Sequence, residues 1–215
     1  MEKAKSAYTE LEIDVLRELG NIGAGNAATS LSSLLNEKVD MAVPNVRITS
    51  FDDAVKSFGG AEHLAAGVLL SFEGLEGDEA SKDIRGMLLF IVEIESANDI
   101  VSMLTGGMYE PGSPEFEEMK LSALQEIGNI MGAAYINSIA TLTGLGLNIS
   151  VPYLAIDMVG AILSIPIAEF GALSDNVLFI EEGFIGQDKN INSSMSLFAG
   201  SETVDTIMRR LGIEV

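Results

Sequence analysis

Cysteine is absent from the 215 residues, and histidine occurs once, at His63. The first absence removes disulfides, zinc–thiolate centres and thiol nucleophiles together, and it fits a reducing, cytoplasmic compartment. The second leaves no Ser-His-Asp triad and no histidine-based metal cluster to argue for. Basic residues are scarce: 12 Lys and Arg stand against 32 Asp and Glu, for a formal net charge of −20. Nucleic acid and anionic lipid both require clustered positive charge, so neither is an expected partner. The same scarcity argues against a home-built phosphate pocket and points to a protein partner with some basic surface. No Gly-Lys-Ser/Thr phosphate loop occurs anywhere.

A membrane span is also missing. Leu154 to Leu173 is mostly apolar but contains Asp157, Glu169 and Pro166, and no Lys or Arg anchors its flanks. It reads as buried or docking surface. The start, Met1 to Ala7, is polar and carries no apolar signal region.

What is present is a repeat. Glu18-Leu-Gly-Asn21-Ile22 recurs as Glu126-Ile-Gly-Asn129-Ile130, and the same offset of 108 residues (18 to 126) pairs Pro44 with Pro152 and Met87–Phe90 with Met195–Phe198. An internal duplication with a pseudo-two-fold is the simplest account. It predicts one domain over 1–215, built of repeats at about 9–107 and 113–215, and a chain that functions as a monomer.

Each repeat reads in the same order. A long helix is predicted over 10–36 and again over 114–143. Thr9 with Glu12 forms a capping-box pattern, and Ser113-Pro114 supplies an N-cap with proline at the first helical position. Extended segments follow at 39–49 and 148–155, then strands at 65–72 with 84–94 and 176–185 with 191–199. The polar connectors 73–83 and 186–192 read as hairpin loops. Helices over 96–106 and 201–212 close the two halves. The fold class is α+β, an antiparallel sheet covered by helices.

Asp14, Glu18 and Asn21 fall on one helical stripe, beside an apolar stripe of Leu11, Val15, Leu19 and Ile22. The polar stripe lies roughly 110° from the apolar centre, which puts Glu18 and Asn21 at an accessible edge over a buried face. Ser122, Glu126 and Asn129 repeat this beside Ile127 and Ile130. Asparagine competes for backbone hydrogen bonds inside a helix, and the adjoining glycine costs about 1 kcal/mol against alanine. A costly Gly-Asn pair kept twice, at one spacing from Glu, is hard to explain as surface decoration alone.

The pattern Asp or Ser, three residues, Glu, two residues, Asn, twenty-two residues, Pro resembles the signature of the CheC/CheX/FliY chemotaxis phosphatases. Both copies fit, and the sequence Glu18 to Ala28 is also similar to the CheC family. Two intact sites favour a CheC-type member over CheX, and the chain's end at Val215, without an added switch domain, favours it over FliY. The resemblance implies hydrolysis of the aspartyl phosphate on the response regulator CheY. Asn21 and Asn129 would position water, while Glu18 and Glu126 would dock a receiver lysine. Asp14 and Ser122 would support the site, and Pro44 and Pro152 would shape the strand that follows each helix. No cofactor or metal belongs to the chain in this reading: the receiver supplies its own Mg²⁺. The resemblance also implies docking of the receptor deamidase CheD near Asp157. An adaptor that binds CheY-phosphate and CheD with little hydrolysis is the alternative.

Several features read as structural. Gly23-x-Gly25-x-x-Ala28 matches a dinucleotide fingerprint but follows a helix where the fingerprint needs a strand, so close helix packing is expected. Glu73, Glu76, Asp78, Glu79 and Asp83 lack calcium-loop spacing and read as a solvated hairpin. The ten methionines read as core filler.

Overall fold

The computed structural model describes residues 8–41, 45–49, 51–170, 177–186 and 193–214. The first repeat contains α1 (Glu10–Leu35), β1 (Val39–Met41), β2 (Asn45–Thr49), α2 (Phe51–Ser57), β3 (Leu64–Gly74), β4 (Arg85–Glu93) and α3 (Ile94–Thr105). The second contains α4 (Pro114–Thr143), β5 (Leu147–Ile149), β6 (Tyr153–Met158), α5 (Val159–Phe170), β7 (Val177–Gly186), β8 (Ser193–Ala199) and α6 (Ser201–Arg210).

The helix boundaries follow from local chemistry. At α1, Thr9 Oγ1 accepts from the Glu12 N–H at 3.3 Å while Glu12 Oε2 accepts from the Thr9 N–H at 2.6 Å, closing the capping box. At α4, Ser113 Oγ accepts from the Phe116 N–H at 3.2 Å, with Pro114 in the first turn. Both helices end on a left-handed residue, Asn36 (φ 51°) and Gly144 (φ 67°). These are equivalent positions of the repeat, filled by the two residue types that tolerate that conformation best.

All strand pairings are antiparallel in one eight-stranded sheet, ordered β1-β7-β8-β4-β3-β5, with β2 also on β7 and β6 also on β3. Each half therefore lends its first two strands to the long strand of the other half. The halves meet at β4 and β8, where Leu88 faces Leu197 and Leu89 faces Ser196. Moving this pair of contacts by the repeat offset reproduces it, so the register itself obeys the pseudo-two-fold. The extended segment 148–155 divides into β5 and β6, and the described residues of 39–49 form β1 and β2.

The sheet is covered on both faces. Alternate strand residues Val68, Leu70, Phe90 and Leu197 pack under α1, α4, α3 and α6 in the larger core. Leu69, Leu89, Ile91 and Phe198 face the other way, against Val159, Ile162 and Leu163 of α5. The apolar segment after Leu154 is thus a strand and a helix with one buried side. Among the described residues no helix is long and apolar enough to cross a membrane.

Two expectations need correction. Leu19 is buried as expected and Val15 and Ile22 are half-buried, but Leu11 is 61% exposed, and the buried face of α1 continues through Leu16, Gly23, Ala27 and Leu31. The face is set by small residues that admit α4, which a hydrophobicity count underweights. The methionines also divide: Met131, Met195 and Met208 are buried, but Met108 is 76% exposed and Met158 lies on the surface.

Candidate active site on two helix flanks

Glycines in and beside the repeated motif explain how its polar residues are presented. A Cβ added to Gly23 would lie 2.7 Å from the Tyr135 ring, so this side of α1 is pressed against α4. That is the close packing expected of the glycine-rich run. Asn21 precedes Gly23 by two residues, which turns it roughly 160° away around the helix. It therefore opens on the flank away from α4. In the second repeat, Met131 stands at the position equivalent to Gly23 and is fully buried, and Asn129 opens on the opposite flank. Glu18, Asn21, Glu126 and Asn129 are all exposed. Within each pair the Cβ atoms are about 5–6 Å apart, as for any neighbours on one helix face.

The second glycine sets the height of the helix. At Gly128 a Cβ would come within 2.4 Å of Val68 on β3, and at Gly132 within 3.0 Å of Leu70. Helix α4 lies so close to the sheet that only glycine fits beneath it. The cost of glycine beside Asn129 is thus a packing requirement, one residue from the polar group.

The supporting residues differ between the halves. Asp14 Oδ1 is 2.5 Å from the Arg17 guanidinium in an exposed ion pair. The equivalent positions, Ser122 and Gln125, are uncharged. Gln125 Nε2 donates to the Pro152 carbonyl at 3.2 Å, tying the motif's proline to the helix that carries Glu126 and Asn129. Pro44 lies outside the described residues. Asp157 is exposed at the end of β6, and its carboxylate accepts from the Met158 N–H at 2.7 Å, just before α5.

Each long helix carries a single basic residue, and both are engaged. On α1 it is Arg17, paired with Asp14. On α4 it is Lys120, only 5% exposed, which donates to Glu117 at 2.8 Å and to the Asn98 side chain at 3.1 Å. Arg17, Gln125 and Lys120 were not singled out from the sequence. The Asp14–Arg17 and Glu117–Lys120 pairs were visible there as i, i+3 spacings. Among the described residues no group of three or more acidic or histidine side chains is arranged to hold a metal.

Known proteins resemble the chain over these helices and this sheet. The CheC-like family matches residues 11–48 and 119–156, which are the two stripes with their following strands. The CheY-P phosphatase CheC of Bacillus subtilis is 32% identical over 212 residues, covering 94% of this chain and 95% of its own length. The chain belongs to the CheC-like family. As a member it is a protein phosphatase. The crystal structure of Thermotoga maritima FliY superposes with a TM-score of 0.68 at 25% identity, covering 96% of this chain and 98% of that one. CheX from Borrelia burgdorferi, solved in a complex with CheY, BeF3 and Mg²⁺, shares the fold with a TM-score of 0.57 at 16% identity. That match covers 83% of this chain and 96% of that one.

Proposed function

We propose that this CheC-like chain hydrolyses the aspartyl phosphate of a CheY-type receiver domain, using one Glu/Asn pair on each flank of the α1–α4 layer. The observation that carries the reading is the state of the basic residues. Arg17 and Lys120 are the only cations on the two helices, and both already hold carboxylates. Neither stripe has a spare positive charge for a phosphoryl group. What it offers is a carboxylate and, one turn on, a carboxamide.

Phosphoryl transfer to water needs charge neutralisation and an oriented water. In this division of labour the receiver brings its Mg²⁺ and lysine, as a partner already charged for the purpose. Asn21 or Asn129 brings the orientation. A carboxamide both donates and accepts, so it can hold a water by two hydrogen bonds in line with the phosphorus. Glu18 or Glu126 pairs with the receiver lysine and fixes the approach. The water's oxygen attacks phosphorus, the bond to the receiver aspartate breaks, and inorganic phosphate leaves while the carboxylate is regenerated. In this reading the receiver is the source of the metal, and the chain supplies none of its ligands. The reading places the reaction in the cytoplasm, with the chain acting as a monomer.

A second surface supports a docking role beside the catalytic one. Tyr153, on the same face of β6 as Asp157, Ile156 and Met158 on its other face, and Ile165 on α5 are exposed apolar residues of these two elements. They favour this end of the sheet as the place where CheD would bind.

The test is phosphate release from phosphorylated CheY with Mg²⁺, comparing the intact chain with Asn21→Ala, Asn129→Ala and the double variant. Acceleration by the intact chain that vanishes in a folded, binding-competent double variant supports the proposal. Binding without acceleration would give the adaptor reading its place.

A further inference from the structure

A groove of about 490 Å³ opens beside the second Glu/Asn pair. Leu34 of α1 forms one wall, and Met108 and Tyr109, from the connector that joins α3 to α4, form another. On α4 it is lined by Met119, Ser122 and Glu126. Ser122 and Glu126 are also members of the polar stripe, so the groove and the candidate active site share an edge. A body that spans Asn129 and Glu126, one turn apart, meets the edge of the groove at Glu126.

We infer that this groove receives an apolar side chain of the phosphorylated receiver domain and is a specificity-determining part of the second site; the inference rests on the function proposed above. Two observations select this occupant. The lining is apolar except at the hydroxyls of Thr105, Tyr109 and Ser122 and the Glu126 carboxylate, the one charge on its edge. The complementary surface is an apolar side chain beside a cation, the same cation that Glu126 engages in the catalytic reading. Met108 is also largely exposed at the groove, a large apolar residue on a connector with nothing over it. Because the connector joins the two repeats it occurs once, and it borders the Asn129 site and not the Asn21 site. The groove therefore adds to the chemical difference between the two sites.

Met108→Ser and Tyr109→Ala, on the exposed connector, test this without disturbing a helix. Each is placed in an Asn21→Ala background, where only the second site works, and in an Asn129→Ala background, where only the first does. Steady-state phosphate release from phosphorylated CheY is then measured across substrate concentration. In the Asn21→Ala background KM rises roughly tenfold, the loss expected for one buried apolar contact, with kcat held. In the Asn129→Ala background KM does not move. Ala123→Gln, which fills the groove from α4, gives the same split if its thermal unfolding matches the parent's. An unchanged KM in the first background, or an equal rise in both, overturns the groove while leaving the phosphatase reading intact. A parent chain that fails to accelerate release at all removes that reading, and the groove's role falls with it.

Discussion

Val68 on β3 lies directly beneath Gly128 on α4, where an added Cβ would be 2.4 Å from Val68 Cγ1. Asn129 is the next residue, so the contact that seats the helix also sets the height of the side chain assigned to water. Gly128→Ala should destabilise the fold by about 1–3 kcal/mol, the usual penalty of overpacking, despite alanine's better helix propensity. Urea unfolding checks this. Val68→Ala in the same chain should recover part of the loss and part of the phosphatase activity. A Gly128→Ala chain as stable as the parent would show that α4 has room the structure denies it.

The two asparagines stand at equivalent points of a register that obeys the two-fold. If the two pairs act independently, Asn21→Ala and Asn129→Ala should each leave the activity of the other site. The double variant should lose roughly 10²-fold or more in kcat, the scale of removing a preorganised polar group from a transition state. Single-turnover phosphate release measures this. A single variant as inactive as the double would mean that the flanks work as one site.

Thr9 closes the capping box at the start of α1. Thr9→Ala should cost about 1 kcal/mol, and Thr9→Ser much less, because only the hydroxyl acceptor matters. Thermal unfolding distinguishes them. Equal losses would place the contribution in the threonine methyl group instead.

Asp78 ties the β3–β4 loop to the turn before β5. Its carboxylate accepts from Ser81 Oγ at 2.8 Å, from the Ala80 N–H at 3.0 Å and from the Gly146 N–H at 3.4 Å. The Ser81 hydrogen bond, first, and then those from Ala80 and Gly146 hold its pKa below the ordinary 3.8. A pKa depressed on folding contributes stability above the unfolded value and loses it as pH falls through the folded one. Asp78→Ala should therefore lower Tm at neutral pH, and the gap to the parent should narrow below pH 3.8. A gap that persists unchanged into acid would mean that the ionised carboxylate contributes nothing.

Much of this protein was legible along the chain. Thr9 with Glu12 and Ser113 with Pro114 mark the starts of α1 and α4, because capping is decided within one turn of backbone. The repeat of Glu18 and Asn21 at Glu126 and Asn129 required only counting, and helical geometry then put each pair on one face. What the chain alone did not show is which strands pair. Hairpins such as β3–β4 join neighbours, but β1 and β2 cross to β7 while β5 and β6 cross to β3. The exchange is a pairing between segments far apart in sequence, and it accompanies the packing of α1 on α4 through Gly23 and Tyr135. The buried face of α1 was placed correctly at Leu19 but not at Leu11, because glycine and alanine bury little area and mark an interface by permitting approach. The groove beside Glu126 was invisible too, since Leu34, Tyr109 and Met119 are brought together by three separate segments. Local spacing determined the candidate pairs; contact between distant segments decided which way they face and what lies beside them.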